Sequence, residues 1–211
     1  MHYSSMSRRR FLQTTGAAAV WLPTSVRGYT ASEIQALYVD GEMQQDVSKW
    51  DLDTPSLCVD LDALEANIAK MQNTTSLNGI ASRPHAKTHK TPVIAQMQLD
   101  TGSVGICVAK VSEAEAMFQN GIDEILLTTT NVTTTKIRRA MKLREQCQGF
   151  IQATDSANNA RLLSEAALSM NILADVVVDV DPGGNRTGIT AGQAALQLAQ
   201  LVDQLPGLTL R

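Results

Sequence analysis

The run Ala174-Asp175-Val176-Val177-Val178-Asp179-Val180 decides the fold class. A near-continuous valine stretch suits a strand buried on both faces, which parallel sheets require because their crossover helices cover them. The same strand-then-helix unit recurs on both sides of it. Upstream, Phe150-Ile151-Gln152-Ala153 is extended, and a helix opens at Asp155 or Ser156 and runs to about Ser169. Before that come an extended stretch from Glu124 to Thr128 with a helix from about Thr134 to Gln146, and a buried strand within Val104 to Ala109. Ser112-Glu113-Ala114-Glu115 reads as a capping box opening a helix through Met117 and Phe118, which Gly121 ends. Gly79 to Pro84 is a further extended candidate, followed by a helix over Thr91 to Leu99. Downstream, Ala194, Leu198, Leu201 and Val202 have helical spacing, and Leu208-Thr209-Leu210 opens a last strand.

Strands are thus expected near residues 81, 106, 126, 151, 177 and 209, each but the last followed by a helix. This α/β repeat fits either an open doubly wound sheet or a (β/α)8 barrel of the TIM type that stops in about its sixth strand. A complete barrel takes about 250 residues, so a chain of 211 with a separate leader reads as unfinished. Open edges on its first and sixth strands would invite pairing, and a homodimer or aggregate is expected. Ahead of the regular units, Ser56-Leu57-Cys58-Val59 is an extended run. Leu61, Leu64, Ile68 and Met71 then recur at helical intervals, with Asp62 and Glu65 as the start signal.

Composition narrows the functions. With 44% hydrophobic and 18% charged residues the chain is not a disordered regulator, and a net charge of −3 without a long basic run gives no footprint for nucleic acid or an anionic membrane. Cys58, Cys107 and Cys147 form no C-x-x-C and read as free core residues. Ser7-Arg8-Arg9-Arg10-Phe11-Leu12-Gln13, followed by a weakly apolar stretch too short to span a bilayer permanently, is similar to a twin-arginine export signal. The expected organisation is a signal over residues 1–29, a linker over 30–50 and the α/β domain over 51–211, with an exported or periplasmic protein and no stable membrane insertion.

The chemistry concentrates in Arg83-Pro84-His85-Ala86-Lys87-Thr88-His89-Lys90. In extended backbone, Arg83, His85, Lys87 and His89 would share one side. A lysine among cations and partly desolvated is disfavoured as ammonium, which yields the free amine that attacks carbonyls. Pro84 cannot donate to a ladder, so the strand should end near Arg83 and place Lys87 in the loop at the carboxyl end, where such folds keep their sites. The same residues also suit a solvated basic loop. Histidines four apart could serve as metal or phosphate contacts, but no carboxylate lies within the octapeptide, and no metal ligand is assigned.

The octapeptide, preceded by Thr54-Pro55-Ser56-Leu57-Cys58-Val59-Asp60-Leu61-Asp62-Ala63-Leu64-Glu65 and Asn67-Ile68, resembles the amino-terminal barrel of the D-threonine aldolase and D-serine dehydratase group. That group is similar to alanine racemases, the fold-type III pyridoxal phosphate enzymes. Gly105 to Glu115 and Gly121 to Leu127 resemble its next two units. The resemblance implies that the fold is the barrel and that Lys87 carries pyridoxal 5'-phosphate as a Schiff base, with His85 beside it. Asp179-Val180-Asp181-Pro182-Gly183-Gly184-Asn185-Arg186-Thr187-Gly188 is similar to the group's turn whose arginine approaches the cofactor's phenolic oxygen, which gives Arg186 that role. Lys90 matches a second lysine and receives no role. The resemblance also implies a divalent metal, whose ligands, like the later phosphate-binding segments and a β domain, have no match in this chain.

The implied activity is a lyase acting on β-hydroxy-D-amino acids, cleaving D-threonine-like substrates to glycine and an aldehyde. Dehydration of D-serine and racemisation share the cofactor. A non-catalytic cofactor carrier and an inactive fragment are the alternatives outside catalysis.

Overall fold

The protein is described by a computed structural model covering residues 28–39 and 42–211, so the export signal expected over residues 1–29 lies almost entirely outside the described residues. The chain divides into two compact units at Met71 and Gln72. In the first, Thr30 caps α1 (Ala31–Ala36) through a capping box with Glu33. β1 (Tyr38–Val39) and β2 (Glu42–Met43) then pair antiparallel. The stretch read as a linker therefore carries regular structure. A single 3-10 turn, Lys49–Asp51, follows, and Tyr29 pairs with Leu52.

α2 (Leu61–Leu77) begins where its leucine spacing predicts, but its cap is Asp60. The Asp60 Oδ1 accepts the Ala63 amide at 3.0 Å, two residues ahead of the Asp62 and Glu65 signal. Ser56 to Val59 is not a strand: all four residues are exposed and lie outside any ladder. Apolar composition alone does not make a strand without a neighbouring edge to pair with.

The second unit contains the repeat. In chain order it runs α3 (Pro92–Asp100), β3 (Ile106–Val108), α4 (Val111–Gln119), β4 (Ile125–Leu127), α5 (Thr134–Gln146), β5 (Phe150–Thr154), α6 (Ala157–Ser169), β6 (Ala174–Val178), β7 (Val180–Asp181), β8 (Ile189–Thr190), α7 (Gln193–Gln204) and β9 (Leu208–Leu210). The main sheet has five parallel strands in the order β3-β4-β5-β6-β9. A doubly wound sheet reverses its strand order at a switch point. Here each strand adds beside its predecessor, as the wall of a barrel does, and this order decides between the two alternatives.

Register separates two faces. Ile106, Ile125 and Phe150 pair across one row, Val108 and Leu127 across another, and all five are at most 1% exposed beneath the helices. Ala114, Met117, Ala140 and Leu143 pack on them. The alternate residues Cys107, Leu126, Ile151, Asp175 and Thr209 form the opposite row. The valine strand is buried at Ala174 and Val176 but only half-buried at Val177 and Val178, so burial on both faces holds for its first part alone.

Asp175 is buried on that opposite face and paired with Arg211 at 3.1 Å and Arg144 at 3.6 Å. Arg144 also donates to the carbonyls of Leu173, Cys147 and Gln148, tying α5 to the amino ends of β5 and β6.

α4 has no capping box. Glu113 bonds the Ala109 amide at 2.9 Å, ahead of the Lys110 cap, and Ser112 lies inside the helix. Gly121 does end that helix, at φ +84°. The cysteines are free, but only Cys147 is core; Cys58 is exposed and Cys107 half-buried. Burial, with Asp123 adding to it, pushes the Cys147 thiol up to about 11. Thiol reagents should therefore modify Cys58 first and Cys147 last, because the thiolate is the reactive form. Peptide mapping after timed alkylation of the native protein checks this order, and early labelling of Cys147 would contradict the packing.

Candidate active site

The octapeptide enters along the edge of β3. Cys107 donates its amide to the Pro84 carbonyl at 2.7 Å, and its carbonyl accepts the Ala86 amide at 2.8 Å. These bonds make the single bridge between His85 and Cys107, so the strand expected near residue 81 is one bridge centred further along. Ala86 is buried at 1% exposure in the helix-facing core. His85 shares the row of Cys107 and Leu126.

Extended geometry then stops. The amides of His89 and Lys90 both bond the Ala86 carbonyl, at 3.2 and 2.7 Å, so residues 86–89 form a turn. Lys90 takes a left-handed φ of +52° to leave it. The four-cation face expected from strand alternation is therefore not formed. Arg83 points to the amino end of the sheet, where its Nη1 donates to the Glu124 carbonyl at 3.3 Å. Gly105 makes room for that guanidinium, since a Cβ there would sit 2.0 Å from Arg83 Nη1. Lys87 is on the turn at the carboxyl end, as expected, but it is exposed and lacks the partial desolvation read from the sequence.

Hydrogen bonds assign the His85 tautomer. Its Nδ1 accepts the Lys87 amide at 3.3 Å, which leaves the proton on Nε2. Nε2 lies 3.2 Å from Thr128 Oγ1, which in turn donates to the Val108 carbonyl at 3.1 Å. The relay runs from His85 through Thr128 to β3, and it fixes the backbone of the lysine. His89 repeats the device: its Nδ1 accepts the Thr91 amide at 3.0 Å.

Thr128 has no counterpart in the sequence reading. Its signal is positional: it is the first polar residue after the apolar strand Ile125-Leu126-Leu127, at the sheet end where loops build sites. Thr154 ends β5 in the same way. It is fully buried and donates to Asn159 Oδ1 at 2.8 Å, while Asn159 Nδ2 donates to the Asn131 carbonyl.

Arg186 lies in the loop between β7 and β8, beyond the carboxyl end of β6, and is exposed. Asp181 shapes that loop, its Oδ1 accepting the amides of Gly183 at 2.9 Å and Gly184 at 2.7 Å. Gly188 lets β7 and β8 approach, because a Cβ there would meet the Asp181 nitrogen at 2.5 Å. Lys87 and Arg186 thus leave the same end of the parallel sheet. Among the described residues, Arg186 shares no hydrogen bond with Lys87 or His85. A cavity of about 210 Å³ beside the turn is lined by Lys90, Lys110, Ser112, Glu113, Ala116 and Met117. No group of three or more His, Cys, Asp or Glu is placed to hold a metal ion among the described residues.

Both histidines titrate below the usual 6.5. Burial is the main cause in each; Lys87 adds to it at His85 against Glu113, and Gln98 opposes it at His89. Between the folded values and 6.5 the unfolded chain binds more protons, so stability falls as pH drops through that window. The thermal midpoint should decline between about pH 7 and about pH 5. The decline should flatten in a His85→Gln, His89→Asn double variant; an unchanged slope would show that other groups govern it.

Comparison with known proteins places this geometry. Residues 59–211 match the family model described as alanine racemase, N-terminal domain. The chain is 35% identical over 162 residues to the 3-hydroxy-D-aspartate aldolase of Paracoccus denitrificans, covering 76% of this chain and 42% of that protein. It is 32% identical over 148 residues to the D-threo-3-hydroxyaspartate dehydratase of Delftia sp. (strain HT23), covering 70% and 39%. The crystal structure of D-threonine aldolase from Filomicrobium marinum superposes with a TM-score of 0.73 at 39% identity, covering 76% of this chain and 43% of that one. The chain spans about two-fifths of the length of these curated relatives. With its sequential parallel strands, its covering helices and a match over residues 59–211, the chain belongs to the alanine racemase N-terminal domain family.

Proposed function

We propose that the protein is a pyridoxal-phosphate-dependent lyase acting on β-hydroxy-D-amino acids in the manner of D-threonine aldolase. The observation that carries this reading is the Lys87 turn: an exposed primary amine at the carboxyl edge of a parallel sheet, its backbone held by His85. Similarity to two aldolases and a dehydratase whose names all specify β-hydroxy-D-amino acids supports it.

The residues present fit that cofactor by their chemistry. An aldehyde needs an accessible amine, which Lys87 offers, and an oxyanion needs a fixed cation, which Arg186 offers from a loop braced by Asp181. Pyridoxal phosphate, when bound, supplies an electron sink for bond cleavage at the substrate α-carbon. Lys87 would anchor it, Arg186 would supply positive charge to its ring oxygen, and His85 keeps the lysine at the rim. Because His85 Nδ1 accepts the Lys87 amide and Nε2 is bonded to Thr128, its ring would meet the bound group by packing. The divalent metal of the proposed activity has no ligand assigned in this chain.

Dehydration is the second reading, favoured by the 32% identity to the D-threo-3-hydroxyaspartate dehydratase. Export by the twin-arginine route is part of the proposal and rests on Arg8-Arg9-Arg10-Phe11-Leu12 alone. No helix among the described residues is long and apolar enough to cross a membrane.

Incubation with pyridoxal phosphate should give an absorbance band of the lysine adduct that is lost in Lys87→Ala, and borohydride reduction should label the peptide containing Lys87. A label on another lysine, or none, would overturn the assignment. Glycine plus aldehyde from D-threonine separates cleavage from the keto acid and ammonia of dehydration. We further propose that the protein forms a homodimer. Size-exclusion chromatography with light scattering should give a dimer or larger species; a monodisperse monomer would contradict this.

A further inference from the structure

We propose that His89 is a positioning residue for the Lys87 amine, acting as a neutral strut between the lysine turn and α3. The inference rests on the reading of Lys87 given above. Lys87 sits in a turn that must reverse quickly and enter α3, and its exit at Lys90 uses a left-handed backbone at φ +52°. A lysine holds that conformation only where its neighbours over-determine it.

The neighbour that does so is His89. Its Nδ1 accepts the Thr91 amide at 3.0 Å, and Thr91 Oγ1 donates back to the His89 carbonyl at 2.8 Å. Thr91 is the cap residue of α3 and makes no side-chain cap bond itself, so the imidazole fixes the entry to the helix instead. Since Nδ1 is an acceptor, the proton is on Nε2. That nitrogen and Gln98 Oε1 of α3 are both buried without a hydrogen-bond partner. A small rotation that lets Nε2 donate to Gln98 would satisfy both, and a buried polar atom without a partner is costly.

An acceptor side chain bonding the amide two residues on is the geometry by which asparagine stabilises turns. Asparagine at position 89 therefore preserves the amide bond and loses only the reach to Gln98. His85 makes the same bond to the Lys87 amide, so the lysine lies between two histidine struts four residues apart.

The test measures the rate of condensation of the whole protein with pyridoxal phosphate by absorbance, with borohydride labelling of Lys87 as the second readout. Circular dichroism confirms that each variant is folded at the temperature used. His89→Leu should slow condensation about tenfold, as expected for one buried hydrogen bond lost, and His89→Asn should return it to within about threefold of the parent. Rates equal to the parent in His89→Leu, or no recovery in His89→Asn, would overturn the proposal. Should His89→Leu not fold, His89→Ala takes its place: a rate slower than that of His89→Asn supports the strut and an equal one refutes it. Absence of a Lys87 label in the parent protein would instead overturn the reading of Lys87 itself.

Discussion

Two hydrogen bonds to Cys107 hold the lysine-bearing turn against the sheet, and the site geometry depends on them. The Pro84 carbonyl and the Ala86 amide flank His85, so pairing that residue with β3 sets which side each neighbour faces. Ala86 then enters the helix-facing core, His85 turns to the opposite face, and the chain must fold back at once. Pro84 has no amide to extend the ladder, which helps limit the pairing to one bridge. A shift of this bridge by one residue would bury His85 and move Lys87 off the rim.

The sheet supplies a rigid frame for that turn. Its helix-facing side is closed by Ile106, Ile125, Phe150, Val108 and Leu127, each at most 1% exposed, and removing such side chains costs about 2 to 5 kcal/mol each. Parallel strands end together, so the polar residues that follow them collect at one end. Thr128, Thr154 and Asp179 each stand at such an end, and all three bond across to a neighbouring segment. The Lys87 turn and the Arg186 loop project from this end because the strands before them share one direction.

Where sequence and structure differ, the cause is a partner that composition does not reveal. Glu115 reads as the acidic partner of a Ser112 cap, but the helix starts two residues earlier, with its cap at Lys110, and Glu113 instead accepts the Ala109 amide. Arg83 looked like a neighbour of Lys87; it is drawn away by the Glu124 carbonyl and the space left by Gly105. Cys58 and the apolar residues around it have strand composition but no edge beside them. Period-two alternation through the octapeptide failed at Ala86, whose carbonyl captures two amides and turns the chain.

The amino-acid order by itself determined that this is an α/β chain with strands near 106, 126, 151, 177 and 209, because burial period and helix boundaries are local properties. It also made Arg83 to Lys90 the candidate site, through the resemblance of that octapeptide to the D-threonine aldolase group, since its nitrogen-bearing side chains alone suit a solvated loop equally well. Strand order, and with it the choice of a barrel wall over a doubly wound sheet, came only from the tertiary structure. So did the neutral tautomers of His85 and His89, which are set by the Lys87 and Thr91 amides and by Thr128. The physical reason is common to both: pairing order and proton position depend on which groups meet in space, and residues 85 and 128 meet only when the sheet has formed.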